Sequence, residues 1–205
     1  SIAGFFVGAI VGLTGVGGGS LMTPLLVLLF GIHPAVAVGT DLLYAALTKA
    51  GGALVHGRNQ AVDWRIVTGL GSGSVPAAAL TLWWLSTHSS SAYGSASIIS
   101  GTLGIALVLT ACALLFRKKL QAVAERPGIR EWRERNLRML TVGTGAILGV
   151  LVTISSVGAG ALGTAALVFL YPRLSAVRIV GSDIAHAVPL TLVAGLGHWW
   201  LGNVD

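Results

Sequence analysis

Gly15-Val16-Gly17-Gly18-Gly19-Ser20 interrupts one apolar stretch of this chain, and Ser156-Val157-Gly158-Ala159-Gly160-Ala161 interrupts another, 141 residues later. The match continues on both sides, with Gly8 on Gly149, Leu21 on Leu162 and Thr23 on Thr164. With one further residue of offset, Gly39-Thr40-Asp41 falls on Gly181-Ser182-Asp183, His56 on His198, and Val62-Asp63 on Val204-Asp205. Interrupted hydrophobic segments at matching places in two halves of a chain point to a binding site near a bilayer midplane.

Composition agrees with a membrane solvent. The chain has 205 residues, of which 54% are hydrophobic and only 10% charged, and its mean hydropathy is +0.84. Soluble domains carry about a quarter charged residues. The 29 glycines and six tryptophans suit membrane helices and their interfaces. Cys112 is the single cysteine and lies in an apolar run, so it reads as a small core hydrophobe. A net charge of +6 raises the question of nucleic acid, but eight of the 13 basic residues fall between Arg117 and Arg138. A basic segment between hydrophobic spans marks a cytoplasmic loop, here with a short solvated helix, and not a nucleic-acid surface.

Continuous apolar runs cover 35–56, 65–86, 94–116 and 176–201, each long enough to span. The segments beside the glycine breaks (1–13 and 21–30, then 140–153 and 162–170) are about half a span each. They are either the halves of one broken helix or the arms of a re-entrant hairpin. With 117–138 cytoplasmic, a hairpin over 140–170 puts Arg173 and Arg178 on the same side, which the positive-inside rule favours. A hairpin plus three spans is an odd number of crossings, so the second repeat is inverted relative to the first. The expected fold is an all-α polytopic membrane protein of two inverted repeats. Residues 1–116 form the first, 117–138 the basic loop and 139–205 the second. That second copy ends at the partner of Asp63, so the reading expects it to be incomplete and expects a few residues to be missing before Ser1.

Glycine-rich backbone at membrane depth is costly unless it lines a cavity or is buried by protein. Gly17, Gly18, Gly19 and Ser20, with Gly158, Ala159 and Gly160, precede restarting helices. The free N–H groups and positive dipole ends there suit a small oxyanion. The plainer alternative is close helix packing on small residues. Asp41 and Asp183 lie deep in their helices, where acids are functional candidates. Lys49 shares a helical face with Asp41, and His56 does too. In the second copy His186 replaces Tyr44 beside Asp183, and Thr191 replaces Lys49. Lys49 would neutralise an anion, or pair with an acid. Asp41, Asp183 and His186 are candidates to carry coupling protons, or else form interhelical hydrogen bonds. Thr40 and Ser182 are candidate substrate donors, or bond their own helix backbone. His56 and His198, close to helix ends, read as interfacial. Trp64 and Trp132 read as one aromatic belt, and Trp83, Trp84, Trp199 and Trp200 as the other. Pro189 should kink its helix past Asp183.

The Gly-Val-Gly-Gly-Gly-Ser run with Pro24 and Ala37-Val38-Gly39-Thr40, echoed in the second half, resembles the sulfite exporter TauE/SafE family, also described as four-toluene-sulfonate uptake permeases. The resemblance covers nearly the whole chain. It implies a bacterial inner-membrane carrier, an exporter of sulfite, organosulfonates or other small sulfur-containing anions, with the lipid bilayer as its surroundings and a homo-oligomer as one possible state. No cofactor or metal is implied. A channel using the breaks as a constriction and an accessory membrane subunit are the alternatives. An enzyme is disfavoured, since the chain has no HExxH, no GxSxG and no clustered Cys and His.

Overall fold

A computed structural model describes residues 19–88 and 92–204. Every regular element among the described residues is a helix. In chain order they are α1 (Gly19–Leu28), α2 (Pro34–Arg58), α3 (Trp64–His88), α4 (Ala92–Leu115), α5 (Arg117–Ala124), α6 (Pro127–Ser155), α7 (Ala161–Leu170) and α8 (Ala176–Trp200). Four of them are long and apolar enough to cross a membrane: Trp64–Thr87, Ser97–Leu115, Pro127–Ser155 and Ala176–Trp200. α2 is as long as α8, at 25 residues, but the charges and glycines along it keep it below that apolar standard. α4 is the most apolar span, at mean hydropathy 2.3, and only 22% of its apolar stretch is buried within the protein, against 61% for α8. Its side chains are therefore matched to lipid, while α8 is central.

The internal duplication is visible in backbone detail. α2 and α8 have the same length and the same offset as the matched sequence motifs. Each starts on a side-chain cap: His33 Nδ1 accepts from the Ala35 N–H at 3.4 Å, and Ser175 Oγ from the Arg178 N–H at 3.4 Å. Each ends in the same turn. The N–H of Ala61 donates to the His56 carbonyl at 2.9 Å, and that of Asn203 to the His198 carbonyl at 2.9 Å. The turn needs one positive φ in each copy, supplied by Gln60 (54°) and Gly202 (75°).

The two copies also grip each other reciprocally. Gly39 lies against the carbonyl oxygen of Asn203, and its counterpart Gly181 lies against the carbonyl oxygen of Ala61, the counterpart of Asn203. Each helix therefore begins where the other ends, and α2 and α8 run antiparallel. A contact in which i meets j′ while i′ meets j is the signature of a two-fold relation. Any Cβ at either glycine would overlap the partner's carbonyl. Glycines also set the close approach of α3 to α6, where Gly145 lies against Leu70 and Gly73 against Val142.

The second break turns the chain back on itself. Tyr171, just past α7, shares a 2.7 Å hydrogen bond with Thr141, near the middle of α6. Arg133, further back on α6, donates to the carbonyl of Phe169 at 3.2 Å. α6 and α7 are thus the arms of a hairpin. Its first arm differs from the half-span expected over 140–153, because the helix runs unbroken from Pro127 and takes in the end of the basic segment. Pro127 opens it at the first position, and the run of Arg, Glu and Leu after it holds no breaker. The 117–138 segment is accordingly α5 plus the first turns of α6.

Ion pairs gather the basic residues at one end. Arg173 lies 4.0 Å from Glu134 and Arg178 lies 3.3 Å from Asp63. Arg58 and Arg65 flank that same Asp63 turn. α3 and α8 both start here, so Trp83, Trp84, Trp199 and Trp200 lie at the far end, all exposed. Trp64 and Trp132 are exposed at the basic end. α8 remains one helix through Pro189.

Gly39→Ala and Gly181→Ala should each cost about 1–3 kcal/mol, because overpacking against a fixed carbonyl cannot be relieved by a side-chain rotation. Gly101→Ala, where nothing lies within 4 Å of the added methyl, should be neutral or gain up to about 1 kcal/mol from helix propensity. Thermal unfolding of the three variants in detergent measures the difference.

Candidate functional site

Asp41 is two turns into α2 and 2% exposed. Its Oδ2 accepts two hydroxyls: Thr23 Oγ1 of α1 at 2.8 Å and Ser156 Oγ of the second break at 2.7 Å. A buried acid with two donors is satisfied and held in place. Thr40 beside it is half-buried and has an interaction partner of its own.

Lys49, two turns further along α2, reaches out of its repeat. Its Nζ donates to the carbonyl oxygen of Ala159, in the middle of the second glycine break. The carbonyl is presented by an unusual backbone. Gly158 and Gly160, on either side of Ala159, have φ of 125° and 148°, and Ser156 sits in the left-handed region at 58°. L-residues rarely adopt the conformations of the two glycines, so glycine at 158 and 160 is what lets Ala159 turn its oxygen to the lysine. Two backbone bonds restart the helix, from Gly163 N–H to the Gly158 carbonyl (3.0 Å) and from Thr164 N–H to the Gly160 carbonyl (2.8 Å). The N–H groups ahead of them, at the start of α7, have no intrahelical acceptor.

Asp183 approaches this helix start from α8. It is 2% exposed, and its Oδ1 lies so close over Gly163 that a Cβ there would overlap it. Among the described residues, Oδ1 meets no hydrogen-bond donor. Gly52 of α2 packs on Ile184, which places Asp183 level with the turn after Lys49, whereas Asp41 lies two turns before it. The lysine therefore stands between the two acids and is within electrostatic reach of both. His186, one turn past Asp183, is buried, shares a 2.8 Å hydrogen bond between Nε2 and Ser74 Oγ of α3, and has no described partner at Nδ1.

The structure brings part of the constellation expected from the sequence together. Asp41, Lys49, Gly158, Ala159, Gly160 and Asp183 converge, with His186 adjoining. Gly17 and Gly18 lie outside the described residues, and Gly19 and Ser20 open α1. Ser182 is not brought to the site, because its Oγ accepts the backbone N–H of Asp63 at 2.8 Å and anchors the turn before α3. Tyr44 is 57% exposed and points away. His198 is not interfacial: it is fully buried, and its Nε2 shares a 2.8 Å hydrogen bond with the Thr153 carbonyl of α6. Four contributors were not singled out in the sequence: Thr23, Ser156, Ser74 and Gly163. Ser156 had a visible signal, since it puts a hydroxyl where the first copy has Gly15.

Buried acids on two antiparallel, duplicated helices, at a glycine-broken hairpin and among four helices long and apolar enough to cross a membrane, are the features of a polytopic membrane transporter. The sulfite exporter TauE/SafE family matches residues 1–205, and the chain belongs to that family. It is 39% identical over 204 residues to a probable membrane transporter protein, YjnA, of Bacillus subtilis (strain 168), covering all of this chain and 80% of that protein. A second such protein of the same organism, YunE, is 40% identical over 70 residues, 34% of this chain and 26% of its own. No solved structure matches this chain. The chain is a multi-pass membrane transporter.

Removing both hydroxyls from Asp41, in a Thr23→Val, Ser156→Ala double variant, leaves a buried carboxylate without these donors. The expected cost is about 3–6 kcal/mol, because hydrogen bonds to charged groups contribute about 1.5–3 each. Unfolding of the purified double variant in detergent, against each single variant, checks it.

Proposed function

We propose that the chain carries small sulfur-containing anions, such as sulfite or an organosulfonate, outward across the bacterial inner membrane. The single observation that supports this most is Lys49: the one lysine outside the basic segment 117–138, bound to the Ala159 carbonyl beside a free helix start. A cation there offsets the charge of an oxyanion, and the first N–H groups of α7 hydrogen-bond its oxygens. Gly158 and Gly160 keep side chains out of the way. The name of the matched family supports the sulfur oxyanion as the cargo.

The antiparallel grip of α2 and α8 supports an inverted pair of repeats, and the basic end formed by 117–138 with Arg58, Arg65, Arg173 and Arg178 is then the cytoplasmic end. In this arrangement the site lies about 12–14 Å from that end, by the rise of α2 between Lys49 and Arg58. Alternating exposure is a rocking of one repeat against the other across the two glycine crossings. Candidate donors from the first break, Gly17, Gly18, Gly19 and Ser20, belong to the same site by the internal repeat.

In proteoliposomes, Lys49→Met should reduce saturable sulfite flux at least about a hundredfold, and Lys49→Arg should retain measurable flux with a raised KM. Unchanged flux in Lys49→Met refutes the site. Flux that rises linearly without saturation in the unaltered protein refutes a carrier and favours a channel.

A further inference from the structure

The two acids occupy equivalent places in the repeats, and their surroundings are not equivalent. Asp41 takes a hydroxyl from Thr23 and another from Ser156. For Asp183 both counterparts are gone. Thr164, the match of Thr23, turns its Oγ1 to its own helix at the Gly160 carbonyl, 2.8 Å away. Gly15, the match of Ser156, has no hydroxyl to give. Thr191, which stands where the first copy has Lys49, likewise bonds its own helix, at the Ala187 carbonyl 2.8 Å away. Among the described residues, Asp183 therefore lacks the two hydroxyl partners that Asp41 has, and its Oδ1 meets no donor.

What Asp183 has instead is the start of α7. Its Oδ1 packs on Gly163, inside the first turn, where the helix presents its positive end. Of the titratable residues of α2 (Asp41, Tyr44, Lys49, His56 and Arg58), Lys49 is the one within electrostatic reach of it. The other neighbouring elements bring it no charge: α7 contains no titratable residue, those of α3 are Arg65 and His88 at its ends, and those of α6 lie at or before Arg138. His186, on its own helix, is engaged at Nε2 by Ser74.

We propose that Asp183 is a proton-binding site, that Asp41 is a fixed carboxylate, and that the proton on Asp183 binds together with the transported anion. This rests on the anion reading of the Lys49 site and extends it. With both acids ionised, two carboxylates face one ammonium and the site holds one surplus negative charge. The ionised Asp183 then occupies the helix start and the lysine's field, the same two features an anion needs. One proton added to a carboxylate oxygen of Asp183 turns it into a neutral carboxyl, releases the helix start and leaves Lys49 free to face the anion. Proton and anion leave together when the carboxyl ionises on the other side. A dianion moving with one proton carries net negative charge, so an inside-negative membrane potential drives it outward.

The test begins without any substrate. Infrared difference spectra of the purified full chain between acid and alkaline pH should contain a protonated-carboxyl band that Asp183→Asn abolishes and Asp41→Asn leaves intact. A band that survives Asp183→Asn, or vanishes in Asp41→Asn, overturns the proposal. If the Asn variant does not assemble, Asp183→Glu should shift the band while keeping it, and an unshifted band is equally fatal. The second arm uses methanesulfonate, which stays singly charged over the pH range. Its affinity for the unaltered chain should rise about tenfold per unit of acidification, by one-proton linkage, and should become independent of pH in Asp183→Asn. Affinity that ignores pH in the unaltered chain refutes joint binding. With the infrared result in place, no methanesulfonate binding at any pH refutes the anion reading and leaves the proton site standing.

Discussion

The bond from Lys49 to the carbonyl of Ala159 ties a helix of one repeat to the broken backbone of the other, and much of the arrangement follows from it. A partly buried ammonium in an apolar surrounding is tolerated only when its hydrogens are accepted and its charge is offset. The acceptor here is a main-chain oxygen, and main-chain oxygens inside a membrane are normally consumed by their own helix. A free one requires that the helix be interrupted, and the interruption requires residues that adopt φ of 125° and 148°. Glycine at 158 and 160 is therefore a condition for placing a lysine at this depth, and the two acids on either side supply the opposite charge.

That constraint acts on a scaffold held by close backbone approaches. Water does not drive helices together within lipid, so tight packing must do so. The reciprocal contacts of Gly39 with Asn203 and Gly181 with Ala61 bring α2 and α8 together at both ends. Both contacts follow from a single duplicated motif, because the glycine at the head of each helix meets the turn at the tail of the other. The charged groups between those two points are held at fixed depth on either side of the crossing.

Divergence between the copies has then been spent on polar groups and not on the frame. The lengths of α2 and α8, their terminal turns and their crossing glycines are the same in both. Among the changes are Ser156 for Gly15, Thr191 for Lys49, His186 for Tyr44 and Gly163 for Met22. Each alters what an acid or an ammonium meets. One acid is held by two hydroxyls, and the other has an oxygen that meets no donor among the described residues and packs against a helix start. A symmetric frame with asymmetric chemistry gives the protein two sides that are mechanically alike and electrostatically different.

The sequence alone determined the class, the duplication, the broken segments and the identity of the buried charges, because these depend on local features: hydropathy along the chain, glycine runs and spacing between matched motifs. It also indicated the hairpin, through where Arg173 and Arg178 must lie. It did not determine that 140–155 continues a helix begun at Pro127, since the charged start and the apolar remainder read as separate segments. Nor did it separate Asp41 from Asp183, or assign Ser182 to the Asp63 turn and His198 to the Thr153 carbonyl. Those outcomes rest on which hydroxyl or carbonyl, 18 residues distant in the chain for Thr23 and Asp41 and 45 to 119 for the others, arrives within about 3 Å. Such proximity is a property of helices packed against one another, and only the tertiary structure decides it.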